Sequence, residues 1–465
     1  MPASGLEAIA PFAGVCGSQE AQRAGFSVAE ASRRLRRLAF VKQQLALLAA
    51  KHLSSTPEWE VKSALALHAW YDAEHASGLR ARILELREPE GRLDEVADAR
   101  LAEVLEEAQA SGCGDTLELL TAIYGVLRPA LLLAMQRYQR ETNPLADQPT
   151  CRLLKLILVE EREAIAWGEQ ALCVLQKSSK GSELSEHWAA HLRAYLAAAG
   201  GIDGAAEPQR ASLPPRRAEQ PFIPEVLPRR APRFRGLFDT STPADTIYLD
   251  DSRPIQERNL ALLFKRLREM DVPEVIAGIL AQTPEKPWPY YAEMLRQMWD
   301  EARHSLIGQA AFEAHGVEWT RLPINVSFSW KLAKFCTPLE RHVLLYAIEQ
   351  SLMPARRGKR YEWELARASG DALSTMFHDY DWADEVLHAS IGRNLLRPEF
   401  EGGLEELRRT ADRLWEKVAQ GLEREPMPQD SPPPDWWQRF AESVLGRPVP
   451  PVSETDVKDW RPLSA

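Results

Sequence analysis

Apolar and polar residues are distributed along most of this chain as in long helices. Arg33–Leu53 is built largely of Leu, Ala, Arg, Lys and Gln, all good helix formers. Ser54-Ser55-Thr56-Pro57 breaks that pattern, and Trp59–Arg87, Thr116–Arg140 and Arg152–Gln176 resume it. Four helices with short joints predict a bundle. Residues 200–254 are different. Runs such as Pro214-Pro215-Arg216-Arg217 and Pro228-Arg229-Arg230-Ala231-Pro232-Arg233 cannot continue a helix and lack the alternation of a strand. They read as an extended, solvated connector; the alternative is that the basic run contacts an acidic partner. A second helical set follows. Asp271-Val272-Pro273-Glu274 has the form of a capping box at the start of a helix reaching Ala281. The next helix begins after Pro287 or Pro289 and runs to His315. The third spans Pro338–Ala366, where Pro354 and Gly358 are expected to kink or split it, and the fourth spans Asp371–Leu396. From Arg424 the pattern is a Pro-rich tail with one short helix near Trp436–Leu445.

The two helical sets match one another. Thr56-Pro57-Glu58 pairs with Thr283-Pro284-Glu285, Trp70-Tyr71-Asp72-Ala73-Glu74-His75 with Trp299-Asp300-Glu301-Ala302-Arg303-His304, and Leu117, Glu118 and Tyr124 with Leu339, Glu340 and Tyr346. The expected fold is therefore all-α and duplicated: a first bundle at 26–199, an extended linker at 200–254, a second bundle at 255–423 and a tail at 424–465.

Composition narrows the classes. Of 465 residues, 45% are hydrophobic and 27% charged, as in globular proteins with sizeable cores. A net charge of -10, without a basic patch interleaved with aromatics, argues against a nucleic-acid partner or an anionic membrane. The five cysteines, Cys16, Cys113, Cys151, Cys173 and Cys336, are odd in number and none sits at CxxC spacing, which argues against a disulfide framework or a zinc–thiolate site. No leader pattern or membrane-spanning run is evident, and a cytoplasmic location is expected. No Gly-rich phosphate loop appears either.

The candidate chemistry lies in the second set. Glu301-Ala302-Arg303-His304 and Glu385-Val386-Leu387-His388 each place a carboxylate and an imidazole three apart, on one helix face. Either motif alone occurs by chance in a chain of this composition. Their order with the other acids is more specific: Glu274 on the first helix, Glu301 and His304 on the second, Glu349 on the third, Glu385 and His388 on the fourth. Glu269 and Glu257 are the fallbacks for the first position. Glu349 is surrounded in sequence by Val343, Leu344, Leu345, Tyr346 and Ile348, so its charge needs a partner. His378 and Asp381 share the ligand face of the fourth helix and are candidates to orient a ligand imidazole.

This set resembles that of the ferritin-like di-iron carboxylate superfamily, over about 271–396 and, as a weaker echo, over 28–176. The resemblance implies two iron ions, with manganese as the alternative, bridged or chelated by Glu301 and Glu385 or their partners and completed by His304 and His388. It implies an O2-dependent oxidase or oxygenase acting on a small organic substrate, with an external electron donor. Ferroxidase or metal handling and a metal-free helical interaction protein are the alternatives. The first set keeps only Asp72, His75 and Glu161; Ala164 stands where His388 would, and Thr121–Arg128 offers no carboxylate. It is expected to be a degenerate scaffold, a single residual metal being the minor reading. Trp288, Tyr290, Tyr291, Trp299, Tyr346, Tyr380 and Trp382 are expected to pack, a substrate pocket or electron relay being the alternative, and Arg356, Arg357, Lys359 and Arg360 to form a solvated face, the alternative being a site for an anionic substrate or partner.

Overall fold

The computed structural model describes residues 9–111, 115–177, 179–208, 213–219, 223–239, 244–354, 357–428, 430 and 435–452. The fold is all-α: among the described residues the only β-type pairing is an isolated bridge between Arg235 and Pro323. The helices are α1 (Val28–Leu53), α2 (Trp59–Glu85), α3 (Ala99–Gln109), α4 (Thr116–Leu120), α5 (Arg128–Glu141), α6 (Gln148–Leu175), α7 (Ser179–Ala198), α8 (Ile255–Leu267), α9 (Asp271–Gln282), α10 (Trp288–Ala314), α11 (Ser327–Phe335), α12 (Pro338–Ser351), α13 (Lys359–Ser369), α14 (Ala372–Leu396), α15 (Gly403–Arg424) and α16 (Trp436–Leu445). A π-helical turn, Thr121–Leu127, joins α4 to α5. Sequence reading did not separate α3, α7, α8, α11 and α15 as helices. The third helix of the second set is split, as expected at Pro354 and Gly358, into α12 and α13.

Two compact units emerge. One comprises residues 1–49, 68–223 and 287–292; the other comprises 50–67, 224–286 and 293–465. The division thus falls inside the stretch read as a linker, and 50–67 groups with the C-terminal unit. In the N-terminal unit α5 packs on α6, and α3 on α7. In the C-terminal unit α14 lies against α12 and α13, α13 against α8, and α9 against α11 and α12. Basic residues of 200–254 are bound within the unit each belongs to. Arg216 pairs with Glu106 and Glu107, and Arg217 with Glu118, in the first unit. Arg230 is buried against Glu274 in the second. The tail helix α16 buries Trp436 and Trp437, both against Phe264 of α8. Arg356 and Cys113 lie outside the described residues.

Local chemistry sets the helix ends. Thr337 and Glu340 form a reciprocal capping box at the start of α12. Asp371 caps α14 through the Ser374 amide, just after Gly370 ends α13 at a φ of 82°. Asp271 does not cap its own helix as its sequence context suggested; its carboxylate accepts from the amides of Phe328 and Ser329 at the start of α11. One stretch among the described residues, Thr116–Glu141, is long and apolar enough to cross a membrane, and 61% of its most apolar window is buried inside the protein.

Two glycines let helices approach closely around the candidate site. A Cβ on Gly308, one turn beyond His304, would overlap the backbone of Leu267 at the end of α8. A Cβ on Gly392, one turn beyond His388, would collide with the Tyr346 ring of α12. The N-terminal unit repeats the second contact between Gly168 and Tyr124.

Candidate metal centre

Five of the six residues expected as ligands converge in the C-terminal unit. Glu301, Glu349, Glu385 and His388 each offer one ligand atom, and these atoms lie within 4.8 Å of one another. A second group, Glu269, His304 and Asp381, meets the same condition. The two groups adjoin, with His388 Nδ1 3.1 Å from Glu301 Oε1 and His304 Nδ1 3.4 Å from Glu301 Oε2. The imidazole centroids are 5.9 Å apart.

Glu274 does not join them. Its carboxylate is held by Lys62 and Arg230, with Arg230 Nη2 at 2.9 Å from Oε2. Glu257, the other fallback, accepts from Arg253 at 2.7 Å and from the Trp437 indole at 3.1 Å. Glu269, the remaining fallback, lies in the turn after α8, a helix that precedes the one sequence reading counted first. The 3-10 turn after α8 aims Glu269 at His304 Nδ1, 3.6 Å away.

Asp381 lies in the second group, with Oδ1 3.5 Å from His304 Nδ1. His378 donates from Nδ1 to the Ser374 carbonyl at 2.8 Å, and burial lowers its basicity. The braces are Asp384, 3.1 Å from His304 Nε2, and Asp300, 3.4 Å from His388 Nε2. Each comes from the helix carrying the other imidazole. A signal for them was present in the sequence: Asp300-Glu301-Ala302-Arg303-His304-Ser305-Leu306-Ile307-Gly308 and Asp384-Glu385-Val386-Leu387-His388-Ala389-Ser390-Ile391-Gly392 share Asp-Glu-x-x-His-x-x-Ile-Gly. Arg296 and Arg303 hold Asp300, and Arg303 also holds Asp384 at 2.7 Å.

Electrostatics in this interior are those of crowded acids. Burial and the neighbouring Glu385 charge push the Glu349 carboxyl well above the usual range. Burial also raises Glu269, to about 7, despite Arg266 and Lys359. Glu385 stays well below the ordinary value because Lys359, Glu349 and His388 outweigh its burial. For His304, burial is outweighed by Asp384 and Glu301, and its pKa rises to about 10; His388 is raised well above the ordinary value, burial being outweighed by Asp300, Glu301 and Glu385. Without an ion, protons on the imidazoles and on Glu349 therefore balance the carboxylates.

The residues fit a pair of divalent cations by their unmet valences. His304 Nδ1, His388 Nδ1, Glu385 Oε2 and Glu269 Oε2 are buried and make no hydrogen bond. Buried polar atoms are nearly always partnered, so orphans gathered on one centre call for an explanation, and an ion supplies one. The donors are carboxylate and imidazole without thiolate, which suits iron or manganese. Such outer braces typically contribute ~10–100-fold to metal affinity. Asp384→Asn is accordingly expected to weaken metal binding by about 10–100-fold with the helical fold intact, measured by competition with a chelator.

In the corresponding trio of the N-terminal unit the two carboxylates are paired with basic side chains, while His75 Nδ1 is buried without a hydrogen bond. Lys42 Nζ lies 2.7 Å from Asp72 Oδ1 and also contacts Glu161. Arg128 donates to Asp72 Oδ2 at 2.7 Å and to Glu161 Oε2 at 3.1 Å. Arg128 directly follows the π turn. His75 Nε2 meets Glu160 at 2.6 Å, the same relation that His304 bears to Asp384. Two basic side chains supply the compensating charge, so this trio needs no ion for it.

Lys359 is another departure from expectation. Arg357 and Arg360 are exposed, but Lys359 is 1% exposed. Its ammonium sits 3.0 Å from both Asp381 oxygens and 2.8 Å from Glu385 Oε1. No family model matches this chain, and neither does any curated protein or any solved structure.

Proposed function

We propose that the chain is a duplicated ferritin-like protein whose C-terminal four-helix core holds a dimetal centre, most consistent with two iron ions, and that it carries out O2-dependent oxidation of a small organic substrate. One observation carries this reading: two adjoining groups of buried acids and imidazoles, each imidazole with Nδ1 facing Glu301 and Nε2 braced by an aspartate of the opposite helix. Glu301, Glu349, Glu385 and His388 would hold one ion, and Glu269, His304 and Asp381 the other, with Glu301 between them. Two ferrous ions so held supply electrons for the reduction of O2. The chain's own contribution is geometric and electrostatic. Asp300 and Asp384 hold Nε2–H of the imidazoles, so that the proton each can give up to an entering ion is the one on the inward-facing Nδ1. Gln297 donates to Glu349 Oε1 at 3.1 Å and helps orient that carboxyl, which also contacts Glu385, toward the centre. Tyr346, buried against Gly392, closes that side to water. The protons on His304, His388 and Glu349 must leave as ions bind.

The parallel contacts of Gly168 with Tyr124 and Gly392 with Tyr346, and of His75 with Glu160 and His304 with Asp384, support descent of both units from one bundle. The N-terminal copy then serves as a scaffold that has replaced its ions by Lys42 and Arg128. That replacement also favours, as the second reading, a metal-free interaction protein in which Arg266 and Lys359 do the same for the C-terminal copy. The test is O2 consumption by protein loaded anaerobically with ferrous iron. The expected result is uptake that organic compounds stimulate in the presence of a reductant. Uptake fixed by the iron added and indifferent to organic compounds would make it a ferroxidase, and no iron retained would leave the metal-free reading.

A further inference from the structure

Resting on the dimetal reading, we propose that Lys359 is a movable counter-charge that makes the two metal positions unequal, so that the second ion binds only when the ammonium leaves Asp381 for Glu362. The central acids are Glu269, Glu301, Glu349, Asp381 and Glu385, five carboxylates facing two permanently cationic side chains, Arg266 and Lys359. The cations are not evenly shared. Arg266 pairs with Asp381, and with Glu269 at 2.7 Å, so two of the three residues in the second group already have a cation. Lys359 adds a second cation to Asp381 and reaches the first group only through Glu385 Oε1.

An ion entering between Glu301, Glu349, Glu385 and His388 meets these cations at one carboxylate oxygen, Glu385 Oε1, with Lys359 at 2.8 Å and Arg266 at 3.9 Å. One entering between Glu269, His304 and Asp381 meets a guanidinium and an ammonium at contact distance. The excess of three carboxylates over the two fixed cations is nearly cancelled by one divalent ion and over-compensated by two. A second ion thus requires a cation to withdraw, and Lys359 has somewhere to go. Glu362, one helical turn along α13, is completely buried; its Oε1 accepts from Lys265 at 2.6 Å, while its Oε2 accepts no hydrogen bond and lies 3.6 Å from Arg266 Nη2. That oxygen is 4.0 Å from Lys359 Nζ, so a side-chain torsion suffices for the transfer. Arg266, packed under the close α8–α10 crossing and bound to three acids, has no comparable freedom.

The experiment is a Mn2+ titration of metal-stripped full-length protein, with free Mn2+ read by its electron paramagnetic resonance signal. Wild type is expected to show one tight site and a second at least about tenfold weaker, as a charge at contact distance imposes. Lys359→Met keeps the stem and removes the charge, and it is expected to bring the two affinities within about threefold of each other. Lys359→Arg should preserve the inequality. Should Lys359→Met fail to fold by circular dichroism, Glu362→Gln gives the independent reading: the second site weakens further while the first is unchanged. Two equal sites in wild type, or an inequality untouched by Lys359→Met and Glu362→Gln, would overturn the proposal. Absence of any Mn2+ binding by wild type would instead overturn the dimetal reading itself, and this inference with it.

Discussion

Glu385→Ala is expected to reduce the iron retained by the purified protein from about two ions per chain to fewer than one, the largest effect of any single substitution on this centre. Its carboxylate stands where the two ligand groups meet. One oxygen faces Lys359 at 2.8 Å and Arg266 at 3.9 Å; the other is unpartnered and 3.7 Å from His388 Nδ1. Removing it takes a ligand from the first position and leaves Lys359 fully committed to Asp381, which closes the second position to an ion. His388→Ala, by contrast, removes one ligand from one position and is expected to cost one ion. Elemental analysis of both variants, with circular dichroism to confirm helicity, distinguishes these outcomes. Retention of both ions by Glu385→Ala would show that the ions bind elsewhere.

Arg128→Met is expected to destabilise the N-terminal unit by ~3–5 kcal/mol without changing the metal content, because it strips one partner from a buried ion-pair network. Arg128 is 2% exposed, and Asp72 and Glu161 are as deeply buried. Lys42 alone cannot neutralise two carboxylates. The burial of the guanidinium is outweighed by these two acids, which hold its proton more firmly than in water. The loss should appear as a lower midpoint in urea denaturation, with iron per chain unchanged. Asp72→Ala should likewise leave the iron unchanged. If either variant strips metal, the N-terminal trio holds an ion and the scaffold reading is wrong.

The gathering of five acids and imidazoles was legible in the sequence because Glu-x-x-His is a helix-face pattern, and a face is what a spacing of three residues specifies. The first-helix ligand was not. Almost every residue of Ile255–Leu267 is buried, including Glu257, Arg258, Asn259 and Arg266, so no polar stripe marks its exposed side or fixes its phase. Counting helices from Asp271 then pointed to Glu274, a carboxylate engaged by Lys62 and Arg230 from segments distant in sequence. Such long-range pairing leaves no local trace. Lys359 was hidden by its neighbours. Arg357 and Arg360 are exposed, and a run of basic residues reads as one solvated face, yet the first turn of α13 directs its second-to-last cation inward. Within the Pro/Arg-rich stretch, Arg216 and Arg217 pair with Glu106, Glu107 and Glu118, and Arg230 is buried against Glu274, pairings that likewise leave no local trace. Asp300 and Asp384, however, stood in plain view in the nine-residue pattern the two metal-candidate helices share. Their importance is visible only when each is seen to brace the imidazole of the other helix.

The most direct measurement is anomalous diffraction at the iron edge from crystals of protein produced with iron supplied. The expected result is two peaks in the C-terminal unit, one among Glu301, Glu349, Glu385 and His388, the other beside Glu269, His304 and Asp381, with none at Asp72 and Glu161. A map without anomalous signal among those side chains, or with its peak in the N-terminal trio, would contradict the account.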